Sequence, residues 1–269
     1  MHEHKYTLPN GNTITYFTHG DKSKQPLFFL HGIGLRAKTY VPLYEKLADH
    51  YYIIAPDMPG FGKSDMPEGK FTIDNIAQAL LPFLNETLQQ PAILSGHSLG
   101  GAVAMQLYAN TPQLFTQLEL FNPIIPPTRF TIIGSLRSIL KQTRWQGSKY
   151  PHKRILAHEG ALVVWWFAKA FFTSRKLFIL NDSLDQPVQI CIEPQHTVTI
   201  HWGKHDFLLD IDQIYENLQM QTDSHKNLIF KEYDAGHGWC WLEPELLESL
   251  RVSYASTGKV VLPNKLTFS

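Results

Sequence analysis

The 269-residue chain has little of several features that would mark a specialised class. It holds only two cysteines, Cys191 and Cys240, too few for a disulfide framework, so the expectation is reduced thiols in a cytoplasmic protein. It carries no net charge, with 24 Lys and Arg against 24 Asp and Glu, so no global field calls for a nucleic-acid partner. It lacks a long hydrophobic run. The longest, ALVVWWFA from Ala161 to Ala168, ends at Lys169, far short of the ~20 residues a transmembrane segment needs. The opening MHEHKYTLPNG has no apolar stretch of the kind a secretory signal requires. Repeats and low-complexity tracts are absent as well. What is left, 43% hydrophobic and 18% charged, suits one large globular domain with room for an insertion.

What the chain does have is an alternating rhythm. KYTL and TITYFT flank Pro9-Asn10-Gly11-Asn12, and Asn-Gly between two apolar-alternating runs predicts a hairpin. Short buried strands are then predicted at PLFFL (26–30), YYIIA (51–55), PAILS (91–95), LELF (118–121), TVTIHW (197–202) and NLIFKEY (227–233). Helical spacing falls between them at 39–48, at 72–88 with Thr72 as N-cap and Pro82 as a kink, and from the residues after Ser98 to about Asn110. A final helix is expected over 243–254. Continuous apolar strands alternating with helices imply an α/β protein with a parallel sheet covered on both faces.

One segment breaks the rhythm. Between Asn122 and Thr197 no strand and helix alternate, and the gap is too long for a connection, so 123–190 is expected to be a helical cap. Residues 1–122 and 191–269 then form the core domain. The charge divides unevenly: from Thr128 to Asn181 there are ten Lys and Arg and one acid, Glu159, leaving 14 bases against 23 acids elsewhere. The zero total hides a basic cap on an acidic body.

The chemistry centres on LSGHSLGGA (94–102). A serine hydroxyl is a poor nucleophile until it is held in the open and relieved of its proton. A tight strand-to-helix elbow holds it open, and the strained turn requires small residues two before and two after, here Gly96 and Gly100 around Ser98. The base should come late in the chain, and His237 stands between two glycines just past the last strand. The carboxylate should end the strand before it. Asp206 fits, with Asp210 and Asp212 as weaker rivals placed in the next helix, while Asn122 at the end of LELF cannot serve as an acid. Oxyanion donors are expected from the backbone N–H of Leu99 and from that of Ile33, in the His31-Gly32-Ile33-Gly34 loop after PLFFL.

Taken together, FFLHGIG (28–34), IIAPDMPGFGKSD (53–65), LSGHSLGGA (94–102), HWGKHD (201–206) and AGHGWCWLEPE (235–245) resemble the α/β-hydrolase family, in its serine-nucleophile, esterase- and lipase-like branch with a helical cap. The resemblance covers nearly the whole chain. It implies an eight-stranded, mostly parallel sheet, no cofactor, and cleavage of a carboxylic ester through an acyl-serine. The cap roofs the site in this family, so Trp165, Trp166 and Phe167 are the expected lining of an apolar acyl pocket. Pimeloyl-carrier methyl ester esterases share this fold and a basic cap. An acidic acyl carrier protein or an anionic lipid surface is therefore the expected partner for Arg137, Lys141 and Arg144.

Other readings fall away on particular residues. PGFGKS ends like a phosphate-binding loop, but Asp57 stands where that loop needs glycine. His196, His201 and His205 are spaced along a strand and a loop, which does not bring them to one metal. Carbon–carbon bond hydrolases of aromatic degradation are similar in DMPGFGKSD but usually carry asparagine where this chain has His97. Such a carbon–carbon bond hydrolase, less favoured for that residue, and a catalytically inert, ligand-binding member of the fold remain the alternatives.

Overall fold

The computed structural model describes residues 1–128, 132–149, 184, 188, 192–221 and 227–247. Its centre is one eight-stranded sheet: β1 (His2–Thr7), β2 (Thr13–His19), β3 (Gln25–Leu30), β4 (Tyr51–Pro56), β5 (Ala92–His97), β6 (Phe115–Phe121), β7 (Val198–His205) and β8 (Leu228–Gly236). The spatial order is β1-β2-β4-β3-β5-β6-β7-β8. β1 and β2 are the predicted hairpin, with Gly11 at φ +88° in its turn, and β2 runs antiparallel to β4. The remaining pairs, from β4–β3 to β7–β8, are all parallel.

The central strands β3 to β6 are largely buried because both faces of the sheet are covered there. Alternate residues of β3 divide between two cores. Phe28 and Leu30 pack with α2 (Ile73–Thr87) and α3 (Leu99–Asn110), whereas Leu27 and Phe29 pack with α1 (Val41–Leu47) and the short α6 (Trp239–Leu242). Thr72 caps α2 by accepting the Asn75 N–H, and the helix continues through Pro82. Two further helices are α4 (Ile132–Lys149), which follows β6, and α5 (Ile211–Gln221), between β7 and β8.

Strand order reverses around β3. The chain steps from β3 out to β4, then crosses back to place β5 on the other side. Loops leaving the carboxyl ends of β3 and β5 therefore diverge above the sheet, which is where α/β proteins form their crevices. All the candidate catalytic residues lie at this edge.

Three expectations change. β7 continues through Gly203 to His205, paired with Gly236, so Asp206 follows the strand directly rather than four residues past it. Of the final helix expected over 243–254, the described residues 243–247 hold only a 3-10 turn, and 248–254 lie outside the described residues. Trp239–Leu242 make one helical turn and Pro244–Leu246 a 3-10 turn, both packed by buried Trp239, Trp241 and Leu247. Of the cap expected over 123–190, the described residues are 123–128, α4, Leu184 and Val188. Trp165, Trp166, Phe167, Cys191 and the tail from 248 lie outside the described residues.

Candidate active site

The elbow follows from steric exclusion. Ser98 links β5 to α3 at φ +54°, a conformation that costs a side-chain-bearing residue free energy and persists only when its surroundings enforce it. A β-carbon on Gly96 would lie 2.3 Å from the Gly100 carbonyl oxygen, and one on Gly100 would lie 2.2 Å from that of Leu30. The Ser98 N–H donates to the Phe121 carbonyl at 3.1 Å, while its own carbonyl accepts from Gly101 at 2.9 Å and Ile124 at 3.0 Å. The serine backbone is thus bonded to α3 on one side and to the end of β6 on the other.

His237 and Asp206 form a hydrogen-bonded pair, His237 Nδ1–H to Asp206 Oδ2 at 2.7 Å. The same oxygen accepts Asn122 Nδ2–H at 2.7 Å, and Oδ1 accepts the backbone N–H groups of Leu208 at 2.8 Å and Leu209 at 3.1 Å. With Nδ1 donating to the carboxylate, a neutral His237 presents Nε2 as its acceptor, the tautomer a general base requires. His237 sits beside the elbow, its ring centroid 4.7 Å from that of His97. Among the described residues Ser98 Oγ makes no hydrogen bond, so the Ser98–His237 link is open; catalytic hydrogen bonds often tighten only around substrate.

The loop after β3 lies against the elbow: a β-carbon on Gly32 would sit 2.8 Å from His97 Nδ1. Its Gly32 N–H is taken by Tyr40 Oη at 2.9 Å. Among the described residues the N–H groups of Ile33 and Leu99 have no protein acceptor, as donors reserved for a developing oxyanion should not.

A family model described as the alpha/beta hydrolase fold matches residues 25–187. The chain belongs to that family. Over 121 residues the chain is 27% identical to (E)-2-((N-methylformamido)methylene)succinate hydrolase of Acinetobacter baylyi, a match covering 45% of each chain. Over 119 residues it is 31% identical to Lipase 3 of a Moraxella species, covering 42% of this chain and 36% of the lipase. The chain thus spans less than half the length of these curated relatives. Among solved structures, a bacterial membrane phospholipase A superposes with a TM-score of 0.68 at 21% identity, covering 90% of this chain and 82% of that one. At that identity the likeness is one of fold.

Several side chains of this family member have roles that the sequence does not announce. Asn122, at φ +39°, does more than close an alternative acid position. Besides donating to Asp206, its Oδ1 accepts the Gly203 N–H at 3.1 Å and Trp239 Nε1–H at 2.9 Å. Its place at the end of β6, next to the elbow strand, was the available signal. Gln142 of α4 accepts the Phe207 N–H at 2.9 Å, and Trp145 stacks on His205, so α4 packs on the Asp206 loop.

The three histidines weighed as metal ligands are each engaged elsewhere. His196 bonds Tyr108 Oη, His205 bonds Asp234, and buried His201 bridges Glu119 at 2.6 Å and Tyr233 at 2.8 Å. Among the described residues no group of three His, Cys, Asp or Glu side chains is arranged to hold a metal ion. Asp57 fills the loop that resembled a phosphate cradle, its carboxylate accepting the N–H groups of Ala37 at 2.8 Å and Lys63 at 2.9 Å. Among the described residues no helix is long and apolar enough to cross a membrane.

Proposed function

We propose that this chain is a serine hydrolase that cleaves a carboxylic ester, with Ser98 as nucleophile, His237 as base and Asp206 as its orienting acid. The observation that carries the reading is Ser98 held at positive φ on the elbow, with the His237–Asp206 pair tethered beside it. In this mechanism Ser98 Oγ attacks the ester carbonyl as its proton passes to His237 Nε2. The oxyanion accepts the N–H groups of Leu99 and Ile33. The proton then leaves with the alcohol, giving an acyl-serine, and water activated by the same histidine releases the acid and regenerates Ser98. The lipase relative favours an apolar acyl group, for which Trp165, Trp166 and Phe167 are the proposed lining. A second reading, hydrolysis of a bond other than an ester, is favoured by the likeness to the succinate-derivative hydrolase.

The test is fluorophosphonate labelling together with a p-nitrophenyl ester series of increasing acyl length. Wild type is expected to label and to cleave, and Ser98→Ala to lose labelling and on the order of 10⁶ in kcat. Failure of wild type both to label and to cleave any ester would sink the reading.

A partner for the cap is part of the proposal. α4 contains no acidic residue, and Arg137, Lys141 and Arg144 are exposed along it, near Leu140, which is 69% exposed. That surface suits an anionic partner, and we favour an acidic acyl carrier protein over an anionic lipid surface. Lys141 also has a local role, its Nζ lying 4.2 Å from the centre of the Phe207 ring beside Asp206, so charge reversal there would disturb the site itself. The clean variant is Arg137→Glu with Arg144→Glu. Small-ester kcat should stay within about twofold, while cleavage of carrier-bound ester loses kcat/KM and its salt dependence. Unchanged kinetics on the carrier-bound ester would remove the partner.

A further inference from the structure

Among the buried histidines, His31 bonds the Gly32 carbonyl and the Met58 N–H, His196 bonds Tyr108, and His201 bonds Glu119 and Tyr233. His97 differs. It directly precedes the nucleophile, is 1% exposed, and makes two hydrogen bonds that leave the elbow in opposite directions. Nε2 lies 2.9 Å from the backbone carbonyl oxygen of His237, 140 residues away in sequence, and Nδ1 lies 2.8 Å from Tyr40 Oη. Tyr40 Oη in turn receives the Gly32 N–H at 2.9 Å.

Donor and acceptor identities give this run a direction. A carbonyl only accepts, so His97 Nε2 carries the hydrogen. A neutral imidazole has one N–H, so Nδ1 accepts, and the single Tyr40 hydroxyl hydrogen points to it. The Tyr40 oxygen is then left to accept the Gly32 N–H, and every group is satisfied. A cationic ring would instead place two donors, Nδ1–H and the Gly32 N–H, on Tyr40 Oη. Burial between Tyr40 and the edge of Trp241 also holds the ring well below the usual imidazole range.

We propose that His97 is a positioning residue that ties the oxyanion loop and the His237 loop to the nucleophile elbow, through hydrogen bonds directed from Gly32 to Tyr40 to His97 to the His237 carbonyl. His237 is then fixed at two points, its backbone by His97 and its ring by Asp206. Turning the Gly32 N–H into Tyr40 leaves the next amide, that of Ile33, as the loop's donor for the oxyanion. The inference rests on the serine-hydrolase reading and goes beyond it, since it gives the residue before the nucleophile a task of its own.

The test combines kinetics with a measurement that needs no turnover. On p-nitrophenyl acetate, His97→Leu should lower kcat on the order of 10²-fold with KM changed by less than about threefold. Tyr40→Phe, which removes one oxygen, should lower kcat about fivefold to tenfold. His97→Asn offers an acceptor to Tyr40 and His97→Gln a donor to the His237 carbonyl, so each should recover part of the loss. Nitrogen-15 spectra of the wild-type histidine rings at pH 7 should show His97 neutral with its hydrogen on Nε2. A cationic ring or the Nδ1–H form overturns the tie, as does His97→Leu retaining kcat within twofold. If His97→Leu does not fold, unchanged kcat in Tyr40→Phe overturns it. Should wild type neither label with fluorophosphonate nor cleave any ester, the serine-hydrolase reading falls, while the ring tautomer still decides for or against the tie.

Discussion

At the elbow, Gly96 and Gly100 leave no space for a β-carbon, and the backbone on either side of Ser98 is bonded into β6 and α3. At the other half of the site, Asp206 and His237 sit in loops where side-chain and loop hydrogen bonds do the holding: Asn122, the N–H groups of Leu208 and Leu209, and His97. The first half is rigid by exclusion, since any displacement drives backbone into backbone. The second is rigid by satisfaction, since each polar group has a partner and moving one strands another. Exclusion works at backbone contact, Gly96 against Gly100 four residues on and Gly100 against Leu30 at the end of β3. Satisfaction joins residues far apart, Asn122 to Asp206 across 84 positions and His97 to His237 across 140.

Breaking each half separately should expose the difference. Gly100→Ala should have the larger effect, because its β-carbon meets backbone that cannot swing away. kcat on a small ester should fall at least ~10²-fold, together with the thermal midpoint. A variant of wild-type activity would mean that the elbow is more compliant than its contacts imply. Asn122→Ala should act more gently on rate, on the order of 10-fold in kcat, because Asp206 keeps its other donors. It should nonetheless cost about 2 kcal/mol or more in denaturant unfolding, since the Gly203 N–H and Trp239 Nε1–H lose their acceptor.

The smallest effect is one of pH on stability. Burial lowers the basicity of both His31 and His97 in the fold, so both remain neutral while the unfolded chain takes up protons below about pH 6.5. Stability contributed this way is complete above that pH and is lost as pH falls from there toward the folded-state values. The slope is at most about 1.4 kcal/mol per pH unit for each such ring. Thermal midpoints measured between pH 7.5 and 5 should fall toward acid, less steeply in His97→Asn. An equal slope in that variant would remove His97 from the account.

The same contrast explains what could be read in advance. The hairpin, the strand positions and the elbow were legible because turn chemistry, apolar runs and glycine spacing are local signals. So were Ser98, Asp206 and His237 as candidates, since each stands at or just past a strand end on one sheet edge. Asn122 was noticed only for the acid it could not supply, and Gln142 not at all, because a hydrogen-bond acceptor for a distant loop leaves no periodic trace. Lys141 was grouped with the exposed bases of α4, but Phe207 lies under its ammonium group. Of the helix predicted over 243–254, the described residues hold only the 3-10 turn Pro244–Leu246, and the rest lies outside the described residues.

By itself, then, the sequence determined the class of fold, the strand order's raw material and the one place where a serine is forced out of the chain, because those depend on periodicity and on where a β-carbon fits. Only the tertiary structure decided how Asp206 and His237 are held and which way His97 points its hydrogen. Those depend on pairing donors with acceptors brought together by the sheet, and nothing in the local sequence of either partner names the other.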